Sequence, residues 1–279
     1  MSAVPPQALR AWVAGIGLLG PGLPDWPTAA AVLRGDSAYQ PARTGFPPPQ
    51  GLPPAERRRA TAAVRLALAS GGEALAMAAR AAADLRTVFA ASSGDASNCH
   101  ALCEALASQD RLISPTRFHN SVHNAASGYW GIATGSMAPS AVLCAPQDGS
   151  FAAGLLEALV QLGTSGEDVL LLACDTEYPE PLRSARPIAD GYGVALLLSP
   201  RRAASAQACL RVDPAAAFTE DAAHTLAQPA LEALRRSIPT ARSLTLLQRL
   251  ARAEPGRLVL EQQPGRNLAL ELALEPQPC

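Results

Sequence analysis

The sequence contains no lysine, and all 23 of its basic side chains are therefore arginines. Charged residues make up 17% of the 279 positions and the net charge at pH 7 is −1, so there is no basic excess to attract nucleic acid or an anionic membrane. Long apolar runs are also missing, since no stretch approaches the roughly 18 to 20 residues that span a bilayer. We therefore expect no nucleic-acid partner and no membrane span.

Features of exported, metal-binding and cofactor-binding proteins are scarce. The short apolar run after Arg10 predicts a strand and a turn rather than a signal peptide, so we expect a cytoplasmic protein with reduced cysteines. Cys99, His100 and Cys103 lie close together but supply fewer ligands than a structural zinc site needs. The segment Gly15–Gly20 resembles GxGxxG but lacks a well-placed acid downstream. The sequence thus indicates no metal, nucleotide or flavin.

Strand-like and helix-like segments alternate along the first 200 residues. Continuous apolar runs are typical of strands covered on both faces, and apolar residues at helical spacing indicate buried helices. The predicted strands are Leu9–Leu18, Leu85–Ala91, Ala141–Ala145, Asp168–Cys174 and Tyr192–Leu198, and the predicted helices are Asp25–Leu33, Ala55–Ala83, Ala96–Ser108 and Ser150–Leu162. This alternation predicts an α/β layered fold with a mainly parallel sheet.

The pattern weakens after Pro200. Beyond it we predict helices over Ala222–Arg236 and Ser243–Ala251 and short strands over Arg257–Gln262 and Asn267–Leu274. These elements are too few for a second copy of the first half. We therefore expect a principal domain over residues 1–200 and a reduced C-terminal segment, residues 201–279, that packs on the same domain.

Several segments, taken in order along the chain, resemble the β-ketoacyl synthases, a family with the thiolase-like fold. The opening AWVAGIGLLGPGLPDWPTAAAVLRGDSAY is similar to that family's first strand, Gly-rich turn and first helix, and CAPQDGSFAAGLLEALVQL is similar to its nucleophile elbow and following helix. The resemblance covers residues 8–200 and implies the N-terminal half of a thiolase-like fold with a much reduced C-terminal half. The phrases FHNSVHN, GYW and SFAAGLLEAL most resemble short subunits of aryl polyene pathways, which serve as chain-length factor beside a full-length ketosynthase.

The elbow implied by this resemblance lacks its nucleophile. Ketosynthase chemistry needs a cysteine thiolate at the start of the elbow helix. Matching Gly149 and Gly154 to the elbow's two glycines puts Pro146 at the nucleophile position, where it offers neither a nucleophilic side chain nor an N–H. Two neighbours remain as candidates. Cys144, a strand thiol that we expect to be buried, lies about 7 Å away along the strand, and Gln147 lies one position late.

The histidines of a ketosynthase site are also missing. The family's two active-site histidines come from its C-terminal half, and none of the four histidines here lies in such a context. We expect His224 to be solvated on a helix. We expect His119 and His123 to form local hydrogen bonds in the loop before the elbow. In that loop Asn124 and Gly128 match the family's usual Asn and Gly and support the elbow. Condensation by this chain alone is therefore not expected.

The resemblance implies a pseudoenzyme that acts through a partner. In the family, the strand before the elbow pairs across a two-fold axis, so we expect a heterodimer with a full-length β-ketoacyl synthase, which an acyl carrier protein reaches through the complex. The residues implied to reach the partner's acyl tunnel are Thr116, Arg117 and Phe118. Shaping that tunnel would make this chain a chain-length factor in polyene, polyketide or fatty-acid-like biosynthesis.

Two other functions stay open from the sequence. One is an active acyltransferase or malonyl decarboxylase that uses Cys144 or Gln147. The other is a carrier-protein docking module, or a structural relic, with no control over chain length. An acyl adduct on Cys144 would distinguish the first, and a well-behaved monomer with no affinity for a ketosynthase would count against the chain-length-factor role.

Overall fold

Residues 8–144 and 147–274 are described by a computed structural model, in which helices and strands alternate. The helices are α1 (Trp26–Arg34), α2 (Pro54–Arg59), α3 (Ala62–Met77), α4 (Ala96–Ala107), α5 (Pro115–His119), α6 (Ala125–Thr134), α7 (Ser150–Ser165), α8 (Leu182–Ala185), α9 (Pro229–Ser237) and α10 (Leu244–Arg252). The strands are β1 (Leu9–Leu19), β2 (Arg86–Ala91), β3 (Ser140–Cys144), β4 (Val169–Asp175), β5 (Tyr192–Ser199), β6 (Cys209–Val212), β7 (Phe218–Thr219), β8 (Gly256–Gln263) and β9 (Arg266–Ala273). Two 3-10 turns precede α7 and α10, Gln147–Gly149 and Pro239–Ser243. Across the described ranges, none of the helices is both long enough and apolar enough to cross a bilayer.

The strands form one mixed sheet in the order β3-β2-β4-β5-β1-β6-β9-β7. Strands β6 and β7 both pair with one side of β9, and β8 pairs with its other side. Strand β2 is parallel to β3 and to β4, and the remaining pairs are antiparallel. The prediction of a mainly parallel sheet is therefore wrong. The apolar runs of β4 and β5 indicate burial on both faces but not strand direction. Only the short helix α8 lies between these two strands, and an antiparallel pair needs no long crossover.

Side chains from both faces of the sheet enter apolar cores. Along β4, Leu171 packs on the side of α7 and α1, whereas Leu170 and Leu172 pack on the side of α3 and α6. The core on the α7 side also takes in Leu246 of α10 and Leu270 of β9, which come from the C-terminal segment. Helices on both faces therefore explain why every residue of β4 and β5 is buried.

The long helix predicted over Ala55–Ala83 is divided into α2 and α3. The division falls at Ala60, whose backbone is extended (φ −62°, ψ 118°), and not at the glycine pair inside α3. Gly71 has a different reason for being glycine, because a Cβ there would lie 2.5 Å from the ring of Trp130. The absence of a side chain lets α3 approach the Trp130 of α6 closely.

Five elements are missing from the sequence prediction, namely α6 and the short elements α5, α8, β6 and β7. Helix α6 has two glycines and two aromatic residues in its ten positions, a composition of low helix propensity. Its two aromatic residues, Tyr129 and Trp130, are buried. Strands β6 and β7 are too short to give a period. The helix predicted from Ala222 begins instead at Pro229, which occupies a first-turn position.

Candidate functional site

The candidate site lies where the three parallel strands end. Strands β2, β3 and β4 finish at Ala91, Cys144 and Asp175 on the same edge of the sheet. In α/β proteins ligands bind outside the carboxyl ends of such strands. The elbow follows β3 directly, and the turn Gln147–Gly149 leads from it into α7. Pro146, the position matched to the nucleophile, lies outside the described residues.

The elbow turn is covered by the backbone of β8. A Cβ on Gly149 would lie 1.8 Å from the carbonyl oxygen of Gln262, so only glycine fits there. The covering strand comes from the C-terminal segment, which therefore closes over the turn that a substrate of a ketosynthase has to reach.

Of the four residues predicted to support the elbow, two are glycines that let neighbouring backbone or side chains approach closely. Besides Gly149, Gly154 lets α7 lie against β2, because a Cβ there would be 2.6 Å from the Cβ of Ala90. A Cβ at Gly128 would meet open space instead. Asn124 precedes α6 with an exposed side chain that accepts no hydrogen bond from the first turn of that helix. The matching Asn and Gly of the family are therefore present here without an evident packing role.

A network of ion pairs ties the elbow turn to the C-terminal segment. Arg242 places Nη2 3.0 Å from Asp148 Oδ2 and donates from Nε to Glu261 Oε2 at 2.9 Å. Arg235 lies 3.3 Å from the same Glu261 oxygen, and each of the two arginines is only 5% exposed. Arg186 approaches the other oxygen of Asp148 at 3.7 Å. The guanidinium groups of Arg235 and Arg242 are buried, whereas Asp148 and Glu261 are partly exposed. Removing a carboxylate would leave a buried arginine with fewer partners, so the network ties the turn to the C-terminal segment.

Asp175 is a buried carboxylate whose oxygens are already occupied. Oδ1 accepts hydrogen bonds from the N–H of Ser92 (2.8 Å) and from its hydroxyl (2.6 Å), and Oδ2 accepts one from the N–H of Thr240 (2.9 Å). Burial raises the pKa of Asp175, and these donors oppose the rise. The carboxylate therefore joins β2, β4 and the turn before α10, and three hydrogen bonds fix its orientation.

The thiols near the site lack the features of an activated nucleophile. Cys144 is exposed, which corrects the prediction of a buried strand thiol, because β3 is the edge strand of the described sheet. Partial burial and the charge of Asp175 raise the pKa of Cys144, although Arg186 opposes them. Cys174 is buried, and its pKa is raised to about 12. Reactive cysteines have lowered pKa values, so neither environment favours a thiolate.

The four histidines, all within the described residues, lie in separate places. His123 is exposed beside Gly94 at the end of β2, and the ring of His119 meets Tyr129 edge-on at 6.2 Å. Neither imidazole forms a hydrogen bond within the described ranges, so the predicted local hydrogen bonds are wrong. His100 pairs with Glu104 in α4 at 3.3 Å.

His224 is not solvated on a helix as predicted. It lies in the loop before α9, where its Nδ1 accepts the N–H of Val259 at 3.1 Å and its own N–H donates to the carbonyl of the same residue. Burial lowers the pKa of His224, and nearby arginines add to that effect. No three His, Cys, Asp or Glu side chains of the described residues form a group suited to a metal ion.

The three predicted tunnel residues lie on α5 at the surface. Phe118 is 64% exposed, so it is not part of a core. Arg117 is exposed as well, and its backbone carbonyl accepts a hydrogen bond from the side chain of the buried Asn98. Thr116 is half-buried. The short helix thus holds an aromatic side chain toward solvent.

Exposed apolar side chains are concentrated in one stretch of the chain. Of the ten large ones in the described residues, seven lie between the last turn of α4 and the start of β3, a stretch that we call the exposed apolar segment (residues 106–137). Its members are Leu106, Leu112, Ile113, Phe118, Val122, Ile132 and Met137. Contiguous exposed apolar surface marks interaction sites on soluble proteins, so this stretch is a candidate for such a site.

A cavity opens between this segment and the strand ends. Its volume is about 40 Å³. Its lining residues, taken from β2, β3, β4, α3 and the start of α6, include Phe89, Ala91, Val122, His123, Val142 and Asp175. The site therefore joins an exposed apolar surface to a buried apolar floor, with the covered elbow beside it.

The mixed sheet covered by helices on both faces, with a glycine-bearing turn between β3 and α7, defines a ketosynthase-like protein of the thiolase-like fold. The family model for the N-terminal domain of β-ketoacyl synthases matches residues 31–255. That span is most of the chain, and the chain belongs to this family. No curated protein matches it.

Solved structures have the same fold at low sequence identity. One is the ketosynthase ApeO in complex with its chain length factor ApeC from Xenorhabdus doucetiae, at 22% identity and a TM-score of 0.69, covering 94% of this chain and 99% of that one. The ishigamide ketosynthase/chain length factor matches at 16% identity and a TM-score of 0.68, covering 96% and 100%. A type II polyketide ketosynthase with its acyl-carrier protein, AntDE:AntF, matches at 11% identity and a TM-score of 0.73, again covering 96% and 100%. These likenesses confirm the predicted thiolase-like ketosynthase fold.

Proposed function

We propose that this chain is the non-catalytic chain-length-factor partner of an active β-ketoacyl synthase and shapes the acyl tunnel at a heterodimer interface. The pathway class is polyene, polyketide or fatty-acid-like biosynthesis, and the resemblance of FHNSVHN, GYW and SFAAGLLEAL favours the aryl polyene type. The observation that carries the proposal is the exposed apolar segment, which leads directly into the free edge of β3.

The edge of the sheet at β3 favours a partner. Among the described strands β3 pairs with β2 alone, so its other side presents backbone N–H and C=O groups without a neighbouring strand. Proteins cover such edges or pair them with another chain. Phe118 and Met137, 64% and 95% exposed, belong to the stretch that leads into the strand. Obligate interfaces are apolar in this way, and both features therefore suit the same interface.

The state of the elbow favours a role without catalysis. A condensing enzyme needs a thiolate and room for a thioester at the start of the elbow helix. Here the backbone of Gln262 lies against Gly149, and Asp148 is held by Arg242. The neighbouring thiol of Cys144 has a raised pKa. The proposal is therefore that the active partner supplies the chemistry, and a carrier protein delivers substrates to that partner.

Complex formation is the first test. We expect the chain to aggregate when produced alone and to form a 1:1 complex when co-expressed with the full-length ketosynthase of the same organism. Val122→Asp, within the exposed apolar segment, should abolish the complex on size-exclusion chromatography with light scattering. Val160→Asp on α7 is the matched control, because Val160 is also exposed but lies outside that segment. A stable wild-type monomer without affinity for the ketosynthase would refute the proposal.

Control of chain length is the second test. Phe118 projects from α5, and by the family resemblance it closes the far end of the partner's tunnel together with Thr116 and Arg117. Phe118→Ala should therefore lengthen the products that the complex makes, as measured by mass spectrometry of carrier-bound acyl chains. An unchanged product distribution from an intact complex would remove these three residues from the proposal.

An active acyltransferase or decarboxylase is the second candidate, and the exposure of Cys144 is the observation in its favour. That function predicts an acyl adduct on Cys144, or decarboxylation by the isolated chain through Gln147. Incubation with acyl-loaded and malonyl-loaded carrier protein, followed by intact-mass measurement, tests both. We expect neither an adduct nor carbon dioxide release from this chain without its partner.

A further inference from the structure

Exposed arginines are concentrated beside the exposed apolar segment. Helix α2 and that segment together contain five arginines but only two acidic residues, although the whole chain has one more acidic than basic residue. All five arginines are exposed. We call them the arginine border: Arg57, Arg58, Arg59, Arg111 and Arg117. This surface is therefore positively charged, and the rest of the chain carries the compensating negative charge.

The arginine border has few carboxylate partners of its own. Arg59 reaches only Glu56 of the same helix, at 3.4 Å. Within the described ranges, Arg58, Arg111 and Arg117 form no ion pair with a carboxylate. Most arginines outside the border, by contrast, do have such a partner. The border thus differs from the other arginines of the chain in leaving its charges unpaired.

The carboxylates nearest to Arg117 are engaged with other groups. A recess of about 300 Å³ beside α5 is lined by Arg117 together with Asp95, Glu177 and Asp190. The side chain of Asp95 caps the N-terminus of α4, and Arg43 pairs with both Glu177 and Asp190. The guanidinium of Arg117 is therefore available to a carboxylate from another chain.

The arginine border adjoins the proposed interface. The buried Asn120, which follows α5, donates from Nδ2 to the carbonyl of Arg59 at 3.0 Å and so holds α2 beside α5. Helix α5 leads on to Val122, which lines the same cavity as Val142 and Leu143 of β3. The border, the exposed apolar segment and the free edge of β3 therefore occupy adjoining parts of one surface.

Charge on such a surface distinguishes a copy of this chain from a different partner. Two identical chains related by a two-fold axis bring the same patch of each into contact. Arginines of one copy would then face arginines of the other, and like charges across an interface disfavour association. A partner with carboxylates at the matching positions would gain complementary charges instead.

We propose that the arginine border pairs with carboxylates on the surface of the ketosynthase and thereby selects that partner over a second copy of this chain. The inference rests on the proposed function and adds to it the chemistry by which the two chains recognise each other. The exposed apolar segment supplies the area that is buried. The border supplies the choice of partner, because charges at the rim of an interface contribute to specificity more than to affinity.

The absence of lysine from the chain allows a direct test with a single side-chain amine. A carbodiimide joins an amine to a neighbouring carboxylate as an amide, and it takes up the released water to become a urea. In the assembled complex, we expect Arg117→Lys to give such a link to an Asp or Glu of the ketosynthase, identified by mass spectrometry of the digested complex. Arg236→Lys on α9 is the matched control, because Arg236 is also exposed, and should give no link to the ketosynthase.

Charge reversal gives a second, energetic readout. The purified 1:1 complex is diluted, and its dissociation is followed by mass photometry. Arg58→Glu combined with Arg117→Glu should raise the dissociation constant about tenfold at an ionic strength of about 0.01 M, and the effect should shrink at about 0.15 M as salt screens the charges. Arg201→Glu combined with Arg236→Glu changes the net charge equally and should have little effect. Both control residues are exposed, and Arg201 follows β5 at the opposite edge of the sheet from the end of β3.

The outcomes separate this inference from the proposed function. Two differently tagged wild-type copies, produced together with the ketosynthase, should not co-purify. Co-purification of the two copies would overturn the inference. Links from Arg117→Lys only within this chain or only to an added carrier protein, or an unchanged dissociation constant of the doubly reversed variant at low ionic strength, would overturn it as well. Each of these results leaves the proposed function standing, whereas failure of the wild-type chain to associate with the ketosynthase would overturn the proposed function itself.

Discussion

The adjacent glycines of α3 allow one energetic argument to be tested with a matched pair of variants. A Cβ on Gly71 would lie 2.5 Å from the ring of Trp130 and 2.7 Å from a methyl group of Leu172, and both neighbours are almost fully buried. A Cβ on Gly72 would meet no atom within 4 Å. The two positions therefore lie in the same helix, but an added methyl group would meet buried side chains only at Gly71.

The magnitudes follow from that difference. Replacing a helical glycine by alanine stabilises by about 0.5–1 kcal/mol, and both variants receive this gain. Overfilling a well-packed core costs about 1–3 kcal/mol, and only Gly71→Ala incurs this cost. We expect Gly72→Ala to be more stable than wild type, and Gly71→Ala to fall below Gly72→Ala by about 1–3 kcal/mol.

Thermal unfolding of the complex measures this difference. A change of 1 kcal/mol shifts the midpoint of a 150–250-residue domain by about 2–4 °C, so the two variants should differ by several degrees. Both are compared at the same protomer concentration, because the midpoint of an assembly depends on it. Equal midpoints for the two variants would refute the reasoning that Gly71 is required by close approach to Trp130.

Two further predictions concern groups that the sequence did not single out or placed wrongly. Because the folded-state pKa of His224 is lowered, its contribution to stability is complete above the unfolded-state value of 6.5 and is lost as the pH falls through the folded-state pKa. His224→Gln should therefore reduce the drop in thermal midpoint between neutral and mildly acidic pH, and an unchanged drop would contradict this. Glu73 accepts the N–H groups of Leu18 (2.8 Å) and Trp26 (2.7 Å) through its two oxygens. Glu73→Gln turns one acceptor into a donor and should cost about 1–3 kcal/mol, whereas the exposed Glu271→Gln should cost little on the same thermal scale.

The elements that the sequence predicts well are those whose pattern depends on local burial. The apolar runs of β4 and β5 and the helical spacing of α7 identify these elements within a few residues. The family resemblance adds the elbow, and Gly149 and Gly154 indeed lie at close approaches. Each of these features is carried by neighbouring residues, so one sequence is enough to find it.

The features that the sequence did not predict depend on residues far apart in the chain. Asp175 meets Thr240, and Asp148 meets Arg242, only because the C-terminal segment folds back over the elbow. The exposure of Cys144 follows from the edge position of β3. The apolar pattern along a strand does not show where that strand lies in the sheet. The roles of Thr116, Arg117 and Phe118 remain predictions, because they concern a second chain.

The outer sides of β3 and β8 differ in how far they are already occupied. At the far end, His224 occupies the outer side of β8 by bonding both the N–H and the carbonyl of Val259, which leaves less of that strand available for a newcomer. At the near end β3 has a free side. A unit with one available side joins a single neighbour and stops, whereas two available sides would permit open-ended fibres. If β3 pairs as proposed, the sheet gains a neighbour at that edge, and the β8 edge, where His224 already occupies Val259, is the less available of the two for further pairing.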